Sequence, residues 1–188
     1  AASDALPQDQ RLAHLIVTQF SDAFDAAVQG EDAPPEIWRD WLLTPHALPA
    51  LAGGQVHAWA DALAWSGPLA ASTAGAQDLS VLPYTSGTTG LPKGCMHTHA
   101  SVMHNAVACS LWGRSTSESV TLLVVPMFHI TGMVGVMHAA VYGGATMVLM
   151  PRWERELAGR LISRWQVTSW PNIPTMVIDL LASPNFAS

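Results

Sequence analysis

From Leu79 onward, short apolar runs alternate with segments of helical length. This alternation restricts the fold more than any other feature of the chain. "LSVLPY" (79–84), "SVTLLVV" (119–125), "ATMVLM" (145–150) and "VTSW" (167–170) read as strands, the first of them short and buried. Helices are expected between them and after them. One begins near Thr98 or His99 with Thr98 as N-cap, and its apolar face carries Met103, Ala106, Val107, Ser110 and Leu111. A second spans about Thr131 to Tyr142 and is stopped by Gly143-Gly144. "WERELAGRLISRW" is amphipathic, with Leu157, Leu161 and Trp165 on one face and a Glu156–Arg160 pair on the other. Pro174 opens the last, "PTMVIDLLA". Apolar strands alternating with helices predict an α/β fold, a layered and mostly parallel sheet with helices on both faces. In such sheets ligands bind at the carboxyl ends of the strands.

Residues 1–77 are less regular and 78–188 form the α/β region, so the chain reads as a single domain with an irregular leading segment. "RLAHLIVTQF" (11–20) is expected as a buried strand, and "PEIWRDWLL" and "HAWADALAW" as short helices. Trp38, Trp41, Trp59 and Trp65 read as packing residues, and 66–78 as a surface loop. Hydrophobic residues make up 49% of the chain and charged residues 12%, which points to a well-buried chain rather than a disordered one. A net charge of −6 with no basic face excludes a nucleic-acid binder. Val120 to Met150 contains no Asp, Glu, Lys or Arg, but prolines, histidines and glycines interrupt it. It reads as strand, helix and strand rather than a transmembrane segment. The start of the chain carries no secretory signal, and Cys95 and Cys109 read as free thiols. These readings place the protein in the cytoplasm, with a peripheral membrane association left open.

The chemistry concentrates in "YTSGTTGLPKG", Tyr84 to Gly94. Lys93 is the only formal charge between Asp78 and Arg114. Glycines let backbone amides approach an anion, hydroxyls add uncharged donors, and the lysine supplies a compact cation. Together they suit a polyphosphate. The Walker pattern requires Lys followed by Ser or Thr, whereas Gly94 follows Lys93, so the loop is not that of a P-loop NTPase. A metal site at Cys95, His97 and His99 is disfavoured, because their spacing would converge only on a strand and they lie where a loop enters a helix. His104 reads as an ordinary histidine. Met127, Met133, Met137, Met147 and Met150 read as core fillers, with Met133 the candidate exception. Glu154, Arg155, Arg160 and Arg164 read as a solvated helix face.

"YTSGTTGLPKG" resembles the phosphate-binding signature of the adenylate-forming enzymes: acyl-CoA synthetases, luciferases and nonribosomal adenylation domains. "GCMHTHASVMHN", "PMFHITGM", "GGATMVLMPRWE" and "VTSWPNIPTMVIDLL" extend the resemblance over about 78–182, closest to the fatty acyl-CoA synthetase branch. The resemblance implies a two-step reaction in which a carboxylate attacks the α-phosphate of ATP and a thiol then displaces AMP. It implies that Thr85, Ser86, Gly87, Thr88, Thr89, Gly90 and Lys93 bind the ATP phosphates. It also implies that His129, Gly132, Met133, Gly135 and Val136 line the acyl and adenylate pocket, with small residues leaving room for a chain. ATP, Mg2+, coenzyme A and a fatty acid are the implied cofactors and substrates, with no metal ligand inside this chain. The magnesium-binding Glu, the ribose-binding Asp and the adenylation lysine of the family are absent from these residues. The chain is therefore expected to be a piece of the large N-terminal domain, catalytically incomplete alone, with the parent's C-terminal domain as its partner. An aryl-acid–CoA ligase fragment and a non-catalytic nucleotide- or acyl-binding module are the alternatives.

Overall fold

The computed structural model describes residues 7–24, 27, 30, 33–86 and 90–185. They belong to two compact units, Ala1–Ala71 and Ser72–Ser188.

In the first unit, β1 (His14–Val17) pairs in parallel with β2 (Gln55–Ala58). The expected buried strand is present but not buried: Ile16 is 55% exposed. α1 (Glu36–Leu43) follows Pro35, which sits at the N-cap with φ −48°. Its Trp38 and Leu42 are the buried hydrophobic side chains described in this unit. Phe20 meets the Trp41 ring edge-on at 5.0 Å between centroids. α2 (Trp59–Ala64) begins later than "HAWADALAW" suggested, because Val56-His57-Ala58 is drawn into β2. Trp59 and Trp65 are exposed rather than packed, so only the α1 tryptophans serve as core here.

The second unit is built around β7 (Val120–Leu123), which pairs in parallel with β8 (Thr146–Leu149). On its other side it bridges in parallel to Ser169, and Leu122 N donates to Ser169 O at 3.0 Å. "VTSW" is therefore a single bridge and not a full strand. Leu122 is completely buried, with Leu123 and Val124 nearly so. The connection from β7 to β8 is a turn followed by a helix, the usual form of a parallel crossover. Thr131–His138 is wound as a π-helix and continues into α4 (Ala139–Gly143). Gly144 caps α4 at φ 71°, the left-handed conformation glycine adopts without steric cost. The uncharged stretch Val120–Met150 is thus strand, helix and strand. Among the described residues no helix is long and apolar enough to cross a membrane.

Two short antiparallel pairs and α3 complete the part that carries the Tyr84–Gly94 motif. β3 (Leu79–Val81) pairs with β6 (His97–Thr98), and β4 (Tyr84–Thr85) with β5 (Lys93–Gly94). "LSVLPY" is thus two strands broken at Leu82-Pro83, and it is not buried: Leu79 and Tyr84 are exposed. α3 (His99–Trp112) starts at the expected cap, with Thr98 Oγ1 accepting from Ser101 N at 3.2 Å. Its buried residues are Val102, Ala106 and Ser110, whereas Met103 and Leu111 point outward. The helix packs against the π-helix and α4 along small side chains, and close approach selected those over the larger ones.

α5 (Arg155–Arg164) and α6 (Pro174–Leu181) pack together. Glu154 is the N-cap of α5, accepting from Glu156 N at 3.0 Å and Leu157 N at 2.6 Å. Arg155 reaches Asp179 at 3.5 Å, and Trp153 Nε1 donates to Asp179 at 2.7 Å. Glu156 turns toward the end of α6, where Ser183 Oγ and Asn185 Nδ2 donate to it at 2.7 and 2.9 Å, and Arg155 flanks it at 3.2 Å. The anticipated solvated face with a Glu156–Arg160 pair is thus replaced by a helix cap at Glu154 and by links to α6 and the residues after it at Arg155 and Glu156. Trp165 is exposed, while Trp170 stacks flat on Trp153 at 5.4 Å. Among the methionines, Met150 is buried and Met127 is exposed. Cys95 and Cys109 are free. The architecture is α/β, with parallel pairing at β1–β2, at β7–β8 and at the Ser169 bridge, and antiparallel pairing confined to the stem of the loop.

Candidate functional site

Tyr84–Thr85 and Lys93–Gly94 stand at the top of a two-step stem. β3–β6 forms the lower step, and the register shifts between Leu79 and Val81. Cys95 N donates to Pro83 O at 2.8 Å where the stem kinks. The upper step pairs Tyr84 with Gly94 and Thr85 with Lys93. A side chain at position 94 would press on Leu82 at 3.1–3.3 Å, so the small residue after Lys93 keeps the two steps close. Thr85 Oγ1 donates to Lys93 O at 3.5 Å, tying the first hydroxyl of the motif to the backbone of its lysine.

Thr85, Ser86, Gly90 and Lys93 are all exposed. Gly87, Thr88 and Thr89 lie outside the described residues. Lys93 forms no ion pair among the described residues, so its ammonium is available to an anion. The start of α3 is not. His99 N and Ala100 N donate to Asp78 O at 3.1 Å and Ala76 O at 2.8 Å, and Ser101 N to Thr98. A helix N-terminus binds phosphate through free amides. Here the amides of His99, Ala100 and Ser101 are taken, whereas the Lys93 side chain of the hairpin is exposed.

The second group of predicted residues follows the carboxyl end of β7. The chain turns at Pro126, with His129 N donating to Pro126 O at 3.0 Å. His129 is exposed, and Phe128 beside it is 87% exposed. Thr131 N donates to His129 Nδ1 at 3.2 Å. An Nδ1 that accepts leaves the proton of the neutral ring on Nε2, aimed outward as a donor. Gly132 makes this turn feasible: a Cβ there would lie 2.2 Å from Pro126 O. The small residue serves close backbone packing, and the space beside it is filled by the turn itself.

The five residues assigned to the acyl pocket are distributed over different surroundings. Met133 packs with Ile130 against the buried cluster of Val102, Ala106 and Val134. Gly135 and Val136 face a cavity of about 250 Å³, together with Ser110, Ser115, Thr121 and Thr168. His129 is not in that lining. Val81, just before the loop, packs on the same cluster as Ile130, so the stem of the phosphate loop and the His129 turn rise from one foundation.

Sequence reasoning missed this hydroxyl-lined cavity. Its polar groups come from α3, the turn after it, β7 and the Ser169 segment, and no spacing along the chain announces them. Arg114, whose φ of 51° marks the turn after α3, belongs to the same lining. Among the described residues no group of three His, Cys, Asp or Glu side chains could hold a metal ion.

Residues 3–188 match the family model described as AMP-binding enzyme. The chain is 37% identical over 109 residues to the long-chain-fatty-acid–CoA ligase of Bacillus subtilis (strain 168), covering 57% of this chain and 20% of that protein. It is 40% identical over 111 residues to 4-coumarate–CoA ligase 1 of Arabidopsis thaliana, covering 56% and 20%. The structure resembles ATP-bound MatB from Rhodopseudomonas palustris, with a TM-score of 0.62, 27% identity, and coverage of 70% of this chain and 28% of that one. The chain thus spans about a fifth of the length of the curated relatives it matches.

Proposed function

Because the chain belongs to the AMP-binding enzyme family, we propose that it is the phosphate-loop portion of an ATP-dependent acid–CoA ligase whose acid is a fatty acid. The observation that carries this reading is the exposed β4–β5 hairpin, which presents Lys93 beside Thr85 and Ser86 with no carboxylate partner among the described residues. Thr85, Ser86, Gly87, Thr88, Thr89, Gly90 and Lys93 hold the β- and γ-phosphates of ATP. The substrate carboxylate attacks the α-phosphorus, the bond to the bridging oxygen breaks, and pyrophosphate leaves with the electron pair. Lys93 stabilises the charge that develops on that leaving group, an electrostatic role with no proton transfer. His129 offers its Nε2–H to the carboxylate or adenylate oxygen. Gly135 and Val136, which face one cavity, belong to the wall on the acyl side, Met133 packs on the Val102, Ala106 and Val134 cluster, and Gly132 fixes the turn that carries His129.

The residues described here supply hydrogen bonds and one cation, and no ligand set for the magnesium ion that such chemistry employs. Adenylation and transfer to coenzyme A are completed by residues of the parent protein, its C-terminal domain among them. The 188 residues form one partial domain of that parent.

An aryl acid is the second reading, favoured by the 40% identity to 4-coumarate–CoA ligase 1. Acid-dependent ATP–pyrophosphate exchange by the full-length gene product decides between them, across short to long fatty acids, benzoate and 4-coumarate. Exchange that requires a fatty acid supports the first reading, and exchange only with the aromatic acids replaces it by the second. A folded full-length protein that exchanges with no acid is a binding module.

A further inference from the structure

We propose that His14 and His57 form a two-imidazole clamp for a divalent transition-metal ion of the zinc type. The two residues are 43 positions apart and meet because β1 and β2 run parallel in the register Ile16↔His57. Side chains alternate along a strand, so His14, Ile16, Gln55 and His57 share one face of the pair. His14 Nδ1 stands 3.1 Å from His57 Nε2, with ring centroids 5.2 Å apart and planes tilted by 38°. Two nitrogens on a tetrahedral zinc, each at its usual bond length, stand about 3.3–3.4 Å apart. A movement of a few tenths of an ångström therefore places both on one ion.

The proton balance also closes. In the metal-free pair one facing nitrogen carries the hydrogen of the N···N contact. When metal binds, that ring shifts its proton to its other nitrogen, and both facing lone pairs become ligands. Each neutral ring keeps one proton, and nothing is oxidised or reduced. Imidazole pairs suit zinc, copper and nickel, and discriminate against magnesium and calcium, which prefer oxygen. Among the described residues no third His, Cys, Asp or Glu completes a ligand set, so water fills the remaining positions and the ion exchanges readily. His14 is exposed and His57 half-buried, which leaves the pair accessible. A bound ion would staple two strands of a unit whose described buried hydrophobic side chains are Trp38 and Leu42 alone.

The test titrates the nucleotide-free full-length protein with ZnCl2 by calorimetry, beside His14→Gln, His57→Gln and the control His104→Gln. One zinc equivalent present in the wild type and the control should vanish, or weaken at least about tenfold, in both clamp variants. Millimolar Mg2+ should not displace it. Cu2+ in place of zinc should show hyperfine coupling to two nitrogens in the wild type and to one in each variant. A wild type that binds no zinc, or clamp variants that bind it as the wild type does, overturns the proposal. His14 is exposed, so its replacement tests the site even if the His57 variant folds poorly.

Discussion

The β4–β5 hairpin and the β7–β8 pair are both two-stranded, and they differ in every physical respect. β7–β8 is parallel, uncharged and centred on Leu122, whose side chain has no solvent exposure. The hairpin is antiparallel, two residues long on each side, exposed, and carries the lone lysine. Parallel pairs require a helical crossover and cover on their faces, which is where this unit buries its core. A short antiparallel hairpin requires only its stem, so it can hold polar and charged groups in solvent. Stability and the anion chemistry proposed for Lys93 are therefore separable, and substitutions should divide between them.

The largest stability effect belongs at Leu122. Leu122→Ala removes a fully buried side chain from β7 and should cost about 2–5 kcal/mol in the folding free energy. Denaturant unfolding of the folded protein checks it, and a loss below about 1 kcal/mol would mean that β7 is not the centre of this core. Lys93→Ala should do the reverse. With an exposed side chain, its unfolding midpoint should stay near the wild type, while acid-dependent ATP–pyrophosphate exchange falls about 10²–10³-fold. Equal losses of stability and exchange would end the separation between the two pairs.

Gly132→Ala probes the join between these behaviours. The added methyl would meet Pro126 O and the backbone of Val125, which cannot move aside like a flexible side chain. Overpacking of this kind costs about 1–3 kcal/mol. The turn it disturbs carries His129, so exchange should fall as well. Gly135→Ala is the contrast: its methyl meets only Cys109 Sγ, at 4.0 Å, and stability should hardly change. If the two alanines behave alike, close packing is not what position 132 requires.

What could be read from the sequence follows the same division. The Thr98 cap, the Gly143-Gly144 stop and Pro174 at a helix start were legible because neighbouring atoms alone decide them. The Tyr84–Gly94 motif stands out in the sequence because its glycines, hydroxyls and lysine fall within eleven consecutive residues. Features set by distant neighbours were not legible. The phase of α3 went to Val102, Ala106 and Ser110 because a second helix lies close against it. Eight residues from Thr131 wound as a π-helix, which the apolar pattern does not distinguish from an α-helix. Met133 and Gly135, two positions apart on that helix, face different surroundings, although the motif presents them as one group.

The smallest effect concerns Glu156, and it isolates a link that belongs to neither strand pair. The hydrogen bonds from Asn185 and Ser183 hold its carboxyl below the ordinary glutamate range, against an opposing effect of burial and with Arg155 adding to them. A carboxyl whose folded-state pKa is depressed contributes stability that is fully present above its unfolded value, about 4.3. That contribution is lost as the pH falls through the lower folded value. Glu156→Gln keeps the shape and removes the charge, so it should be less stable than the wild type at neutral pH. The two stabilities should converge as the solution is acidified below the ordinary glutamate range. Unfolding midpoints of the pair measured from neutral pH down into that range read the convergence directly. A difference that stays constant with pH would show that the clasp between α5 and the end of α6 holds by shape alone, and that the charge on Glu156 adds nothing to it.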